Sequence, residues 1–298
     1  MASPFRVQQL TVAYLFIFPF FLLFAVFGAF PIIYSFILSF CQSKGVGKIQ
    51  FIGVINYLNL FQDNLFWKAL WNTAVIWTVS HALILPGAFV LAYILDGVIG
   101  KGSRLFQTIF FTPMVTSSVA VALVFMTLFA ERFGLINYII RLLGGNPISW
   151  YGGTGFWIKP MIIILFTWKW IGWNIVIYFS GLQGIDQELY DCAHVEGASK
   201  GKVLFFITVP MMKPIILFSL ILSFIGGIQI FDEPYILLPW TGPLGGTNYA
   251  GLVLARYLHF RAFSRWHFGY GAAIAYLIVF LIAFLSALNT RLLRSEKL

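Results

Sequence analysis

Charge is what this chain has least of. Asp, Glu, Lys and Arg together make up 10% of its 298 residues, against 60% hydrophobic and 19% aromatic residues. A soluble domain carries about 25% charged residues, so too little polar surface is present to hold this chain in water. A soluble enzyme or binding module is excluded, and an integral membrane protein is implied. Acidic residues are the scarcest charges, 10 against 19 basic ones, which leaves a formal net charge of +9. The basic residues are scattered and form no patch. That excludes nucleic acid as a partner and suits Lys and Arg placed at the ends of membrane spans. Cysteine is almost missing too. Cys41 and Cys192 fall on opposite sides of the membrane in the span order below, which excludes a disulfide framework.

Catalytic chemistry is equally thin. His81, His194, His259 and His267 are isolated, with no metal-ligand spacing and no nucleophile to pair with. The string GVIGKGS at Gly97–Ser103 lacks the four-residue gap of a phosphate-binding loop and follows a membrane helix instead of a strand. The sequence therefore offers no catalytic residue, no metal site and no nucleotide site.

Long apolar runs are what it does have. A helix crosses the hydrocarbon core with about 20 mostly apolar residues, and six segments qualify: Leu10–Phe40, Ala69–Leu95, Leu105–Thr127, Met161–Gly181, Ile215–Phe231 and Phe268–Leu288. The first is too long and uninterrupted for a secretory leader and is read as a membrane helix. Pro19, Pro31, Pro86 and Pro113 fall inside or near span ends, where kinks are expected, because bundled neighbours satisfy the freed carbonyls.

Six spans place both termini on one side. Arg6, Lys101, Arg104, Lys200, Lys202, Lys213, Arg291, Arg294 and Lys297 share that side in short segments close to span ends, which favours cytoplasmic termini. On the other side Phe51–Trp67 (FIGVINYLNLFQDNLFW) suits an interfacial helix. Trp150, Tyr151, Trp157, Trp240 and Tyr249 suit an aromatic belt, and Gly242–Asn248 (GPLGGTN) a glycine-rich turn.

The longest cytoplasmic loop carries DCAHVEGASKGKVLFFITVP, Asp191–Pro210. Asp186 is a fitting N-cap for a short helix over Gln187–Val195, with Glu188 in its first turn. Gly197 ends the helix where a left-handed residue is cheapest. Ser199 caps a second helix that Pro210 and Pro214 bound.

This stretch resembles the coupling motif of the membrane subunits of binding-protein-dependent ABC importers. That motif begins Glu-Ala-Ala, continues with an acidic residue and Gly-Ala, and ends in Ile-x-Leu-Pro. Asp191, Ala193, Glu196, Gly197, Ala198, Ile207 and Pro210 match it; Asp191 for Glu, Cys192 for Ala and Val209 for Leu are conservative departures. Phe66–Thr73 (FWKALWNT), Phe231-Asp232 and Phe268–Gly271 (FGYG) extend the resemblance to the sugar-importer branch of maltose type and first-permease kind, over roughly Phe51–Leu293. The resemblance implies an all-α fold of six transmembrane helices, the type I importer permease. It divides the chain into a cytoplasmic N-terminus (1–9), a first helix with an outer loop (10–67), a type-1 transmembrane domain (68–290, coupling loop 185–214) and a cytoplasmic tail (291–298). It also implies a multi-pass protein of a bacterial or archaeal cytoplasmic membrane. Its partners would be a second homologous permease, a cytoplasmic ATPase dimer and an extracytoplasmic sugar-binding protein. ATP and Mg would sit on the ATPase, with no cofactor on this chain. Leu189, Cys192 and Ala193 would pack into the ATPase and Asp191 and Glu196 would pair with its basic rim, while Gly197, Ala198 and Pro210 would hold the corner.

An ionisable residue inside a span marks function, and Lys169 in FTWKWIGWNI is the clearest case, with His81 weaker. Aromatic faces stack on sugar rings while Lys and Asn donate to hydroxyls, so Lys169, Trp170, Trp173 and Asn174 suit a sugar pathway. The competing reading makes the tryptophans lipid anchors and sends Lys169 snorkelling to the outer surface. Ser223, Gly226, Gly227 and Gln229 in the fifth span, with Asp232 after it, offer room and polarity. By the resemblance, Lys169, Trp170, Trp173, Ser223, Gly227 and Ile230 line up with the substrate site. The alternative is a secondary transporter driven by an ion gradient. It needs acidic residues within spans, and Asp96, Asp232 and Glu233 are expected just beyond span ends.

Overall fold

The computed structural model describes residues 4–45, 47–99, 102–238 and 244–294. Lys101, Trp240, Gly242 and Lys297 lie outside the described residues, and for Arg6, Arg104 and Arg294 only the backbone is described. The described residues divide into two compact units, one within Met1–Asp63 and Leu258–Leu277, the other within Asn64–Tyr257 and Ile278–Leu298.

The first unit begins with α1 (Pro4–Phe24), a π-helical turn (Ala25–Ala29) and α2 (Phe30–Ser39), one helical run carrying the first span. A two-residue antiparallel pair, β1 (Cys41–Gln42) with β2 (Gln50–Phe51), closes the loop before α3 (Ile55–Phe61). The α3 helix exposes Ile55, Leu58 and Phe61, as an interfacial helix should. Asn56 is buried and donates to the carbonyls of Ser39 at 2.8 Å and Cys41 at 2.9 Å. Asp63 accepts from Arg261 at 2.6 Å and from the Tyr270 hydroxyl at 2.8 Å. Burial and the nearby Arg261, Lys44 and Arg265 cations hold His267 below the usual imidazole range.

The second unit contains α4 (Asn64–Ile94), α5 (Ser103–Val115), α6 (Ser118–Leu128), α7 (Leu135–Leu142), α8 (Ile158–Leu182), α9 (Gln187–Val195), α10 (Lys200–Val203), α11 (Val209–Ile228), α12 (Asp232–Leu237) and most of α13 (Leu254–His259), whose last two residues fall in the first. The last helix, α14 (Phe268–Arg294), runs from the first unit into the second. Among the described residues five helices are long and apolar enough to cross a membrane, six if a bent pair counts as one span. The protein is therefore an integral, multi-pass membrane protein.

Three expectations about the spans are corrected. Leu105–Thr127 is two helices, Leu105–Val115 and Ser118–Leu128, bent by 93°. The break falls at Thr116 and Ser117, whose ψ values are 143° and 126°, and Pro113 stays inside α5. Short hydroxyl side chains offer the backbone local alternatives to the helix ladder, and Thr116 uses one, donating to the Thr112 carbonyl at 2.9 Å. The fifth span begins well before Ile215, because α10, a π turn (Leu204–Thr208) and α11 are continuous. Pro210 thus sits in the first turn of α11 and Pro214 inside it, and neither bounds the helix that begins after Ser199. A proline clashes with the carbonyl four residues back. For Pro31 and Pro210 those carbonyls belong to Phe27 and Phe206, each inside a π turn, so the wider turn absorbs the proline and the helix continues.

The core of the second unit lies where α8 packs along α4 and α5. Trp150 belongs to it, 4% exposed and donating to Asn137 Oδ1 at 3.2 Å, so it is not part of an interfacial belt. Tyr151 packs against the same core, and burial pushes its hydroxyl up to about 12. Trp157 and Tyr249 remain half-exposed.

Candidate functional site: a buried ion pair and a capped surface helix

Helix α8 buries Ile158, Ile162, Leu165, Lys169, Gly172 and Ile175, a stripe at three- and four-residue spacing that faces the bundle. Lys169 therefore points inward, while Trp168, one position earlier, is 45% exposed and rests against Phe125. The snorkelling alternative is overturned. Lys169 Nζ donates to Glu233 Oε1 at 2.9 Å and to Ser118 Oγ at 2.6 Å, and the two charged side chains are only 5% and 6% exposed. The Trp170 ring lies 5.7 Å from the ammonium.

Three elements meet at this ammonium because of two chain breaks. The bend at Thr116–Ser117 places Ser118 at the start of α6. The second break, at Gln229–Phe231, ends α11 and restarts the helix as α12, with Asp232 and Glu233 in its first turn. Arg256, itself buried, donates to the Pro234 carbonyl at 2.7 Å and lies 5.6 Å from the Tyr235 ring, which anchors α12. Glu233 is therefore interior, not beyond the span end as expected. Nothing in the local sequence separates it from Asp232; the break in α11 does. The 3–4 stripe of α8, by contrast, is a sequence signal that puts Lys169 on the core face.

A cavity of about 350 Å³ opens beside the ion pair, lined among others by Ser118, Lys169, Trp170, Gly226, Gln229, Ile230, Asp232 and Glu233. A smaller one, about 60 Å³, is lined by His81, Trp170, Trp173, Asn174, Ser219, Ser223, Gly226 and Gly227. All ten residues expected along a substrate pathway thus border one cavity or the other, with Trp170 and Gly226 on both. Some of their polarity is already used. Ser223 Oγ donates to the Leu220 carbonyl at 3.0 Å, and Asn174 Nδ2 donates to the Trp170 carbonyl at 3.3 Å. Gly227 is a packing residue: a Cβ there would fall inside the Trp77 indole and 3.0 Å from His81 Cε1. Trp77 in turn donates to the Ser223 carbonyl at 2.9 Å. Gly226 faces open space.

Helix α9 is a separate feature on the surface. Asp186 accepts from the Glu188 amide at 3.0 Å and caps the N-terminus. At the other end Gly197 has φ +76°, its amide donates to the His194 carbonyl at 3.1 Å, and the Ala198 amide donates to the Ala193 carbonyl at 2.9 Å. These two bonds form the Schellman closure, which needs a left-handed residue at its corner. Leu189, Asp191, Cys192, Val195 and Glu196 are exposed, Val195 at 90%. Ala193, expected on the outward face, is buried within the chain, because it shares the inward side of the turn with the closing bond. Ser199 occupies the cap position of α10 but makes no side-chain cap bond.

With this geometry in place the chain can be compared with known proteins. Residues 88–296 match the family model described as "Binding-protein-dependent transport system inner membrane component". The chain belongs to this family. Among its relatives, the lactose transport system permease protein LacF of Rhizobium radiobacter is 36% identical over 95% of this chain and 94% of its own length. The arabinooligosaccharides transport system permease protein AraP of Bacillus subtilis is 35% identical over 95% of this chain and 89% of its own length. A chain of a bacterial alginate ABC transporter, solved with an alginate pentasaccharide-bound periplasmic protein, superposes with a TM-score of 0.85 at 21% identity, over 98% of this chain and 96% of that one. That likeness confirms the type I permease fold. Family membership makes the chain a membrane permease component.

Proposed function

We propose that the chain is one permease subunit of an ATP-driven importer that moves a sugar, mono- or oligosaccharide, across the cytoplasmic membrane by alternating access. The observation that carries the ATP-driven part is α9: a helix locked at both ends by its own sequence, yet exposing Leu189, Cys192 and Val195 beside Asp191 and Glu196. Exposed apolar residues flanked by acid groups suit a cleft with a basic rim on a separate ATPase. Such a helix, rigidly tied to the fourth and fifth spans, transmits ATPase closure into movement of the bundle. ATP and Mg would bind to that ATPase dimer, and this chain would carry no cofactor. A second homologous permease and an extracytoplasmic sugar-binding protein complete the assembly, with the termini of this chain in the cytoplasm.

Sugar as cargo is supported by the relatives' substrates, lactose and arabinooligosaccharides, and by aromatic and hydrogen-bonding groups lining the cavities. The ion-gradient alternative gains one acidic residue within the bundle, Glu233, but it is already neutralised by Lys169. Co-expression with the ATPase tests the coupling reading. Deleting residues 193–198 should abolish co-purification, and Gly197→Val should uncouple ATP hydrolysis from sugar uptake. An intact complex with normal ATP-driven uptake after both changes would sink the reading.

A further inference from the structure

The larger cavity holds a charge arrangement that says what kind of sugar it admits. Among the described residues lining it, Lys169 is the one cation, and two of its three ammonium donors are used, on Glu233 at 2.9 Å and Ser118 at 2.6 Å. Asp232 lines the same cavity, and its carboxylate has no side-chain partner among the described residues. One cation against two carboxylates leaves the lining with a net charge of −1. The smaller cavity adds no charged group apart from the titratable His81, whose Nδ1 lies 2.9 Å from the Trp77 carbonyl oxygen. Arg256 lines neither cavity; it donates to the Pro234 carbonyl and lies 5.6 Å from the Tyr235 ring.

We infer that the chain admits uncharged sugars and rejects acidic ones, with Glu233 and Asp232 as the residues that set this choice. A uronate entering the cavity meets an unpaired carboxylate and a lysine whose charge is already balanced. To bind, it must either displace Glu233, leaving that carboxylate buried without a partner, or sit as a third negative charge in a low-dielectric space. Both are penalties against the wrong ligand, the usual way a site gains selectivity. A neutral pyranose meets hydroxyl, amide and carboxylate groups at Ser118, Gln229 and Asp232 and the Trp170 face, and needs no counter-charge. This refines the sugar-importer reading and rests on it.

The test is equilibrium dialysis of the complete importer in lipid nanodiscs without its binding protein. The probes are radiolabelled methyl glucoside and methyl galactoside against the matched methyl glucuronide and methyl galacturonide. The uncharged members should bind at least about tenfold more tightly. Glu233→Gln, which removes one carboxylate and frees the Lys169 charge, should bring the ratio to near one or reverse it. Asp232→Asn removes the other carboxylate without touching the ion pair, and should narrow the ratio even where Glu233→Gln fails to assemble. Equal or tighter binding of the uronates by the unmodified protein, or a ratio that neither substitution moves, overturns the inference. Binding of none of the four glycosides would instead overturn the sugar reading itself.

Discussion

The α9 helix and the Lys169–Glu233 pair show two different ways of holding polar groups in a hydrophobic chain. Helix α9 is secured by neighbours in sequence: Asp186 caps one end, and Gly197 with Ala198 closes the other within six residues. Its charges are exposed, and each contributes little to stability on its own. The ion pair is secured by groups far apart in sequence: Lys169 reaches Ser118 51 residues before it and Glu233 64 residues after it. Its charges are buried, so neither is tolerable without the other. The surface helix therefore holds its shape with its polar and apolar side chains exposed, whereas the interior pair holds its charges against each other.

This contrast can be broken at several points. The largest effect is expected at the pair. Lys169→Met or Glu233→Leu alone leaves a buried charge uncompensated and should destabilise by about 3–5 kcal/mol. The double substitution should recover most of that loss. A double-mutant cycle on thermal unfolding in detergent checks this, and additive losses would mean that the pair is not energetically coupled.

The adjacent glycines of α11 come next. Gly227→Ala drives a methyl into Trp77 and should cost about 1–3 kcal/mol as overpacking. Gly226→Ala points into open space and should be neutral or stabilising by up to about 1 kcal/mol through helix propensity. Melting temperatures of the two variants, measured side by side, decide it; similar losses at both would show that the close approach at Gly227 is not what separates them.

The caps of α9 should matter less to stability. Asp186→Ala removes one cap bond and should cost about 0.5–2 kcal/mol, and Gly197→Ala places a side chain at φ +76° for about 1–2 kcal/mol. Because both act locally, hydrogen exchange should quicken in residues 187–198 and stay unchanged around Lys169. A spread of the effect into α8 would show that the two regions are one cooperative unit.

Much of this was legible beforehand, where the physics is short in range. Hydropathy placed Asn64–Ile94, Ile158–Leu182 and Phe268–Arg294 with ends off by up to about six residues, because burying 20 apolar residues dominates any local preference while helix ends extend past the apolar run. The α9 helix, its glycine corner at Gly197 and its Asp186 cap were equally readable, since a cap needs only its own neighbours. Leu105–Thr127 misled, because apolar composition is blind to a 93° bend set by two extended residues at Thr116–Ser117. Trp150 misled because an aromatic near a span end suits an interface or a core equally well until its neighbours are known.

The sequence by itself determined that this chain lives in a membrane, crosses it several times and carries a short helix capped at both ends, because apolar run length and local capping are properties of contiguous residues. Only the tertiary structure decided that Lys169 faces inward onto Glu233, that Ser118 completes the contact and that Asp232 is left over beside a cavity. Those are outcomes of two helix breaks that bring α6, α8 and α12 to one point. A charge pair across 64 residues has no local signature, since its stability depends on the desolvation its neighbours impose.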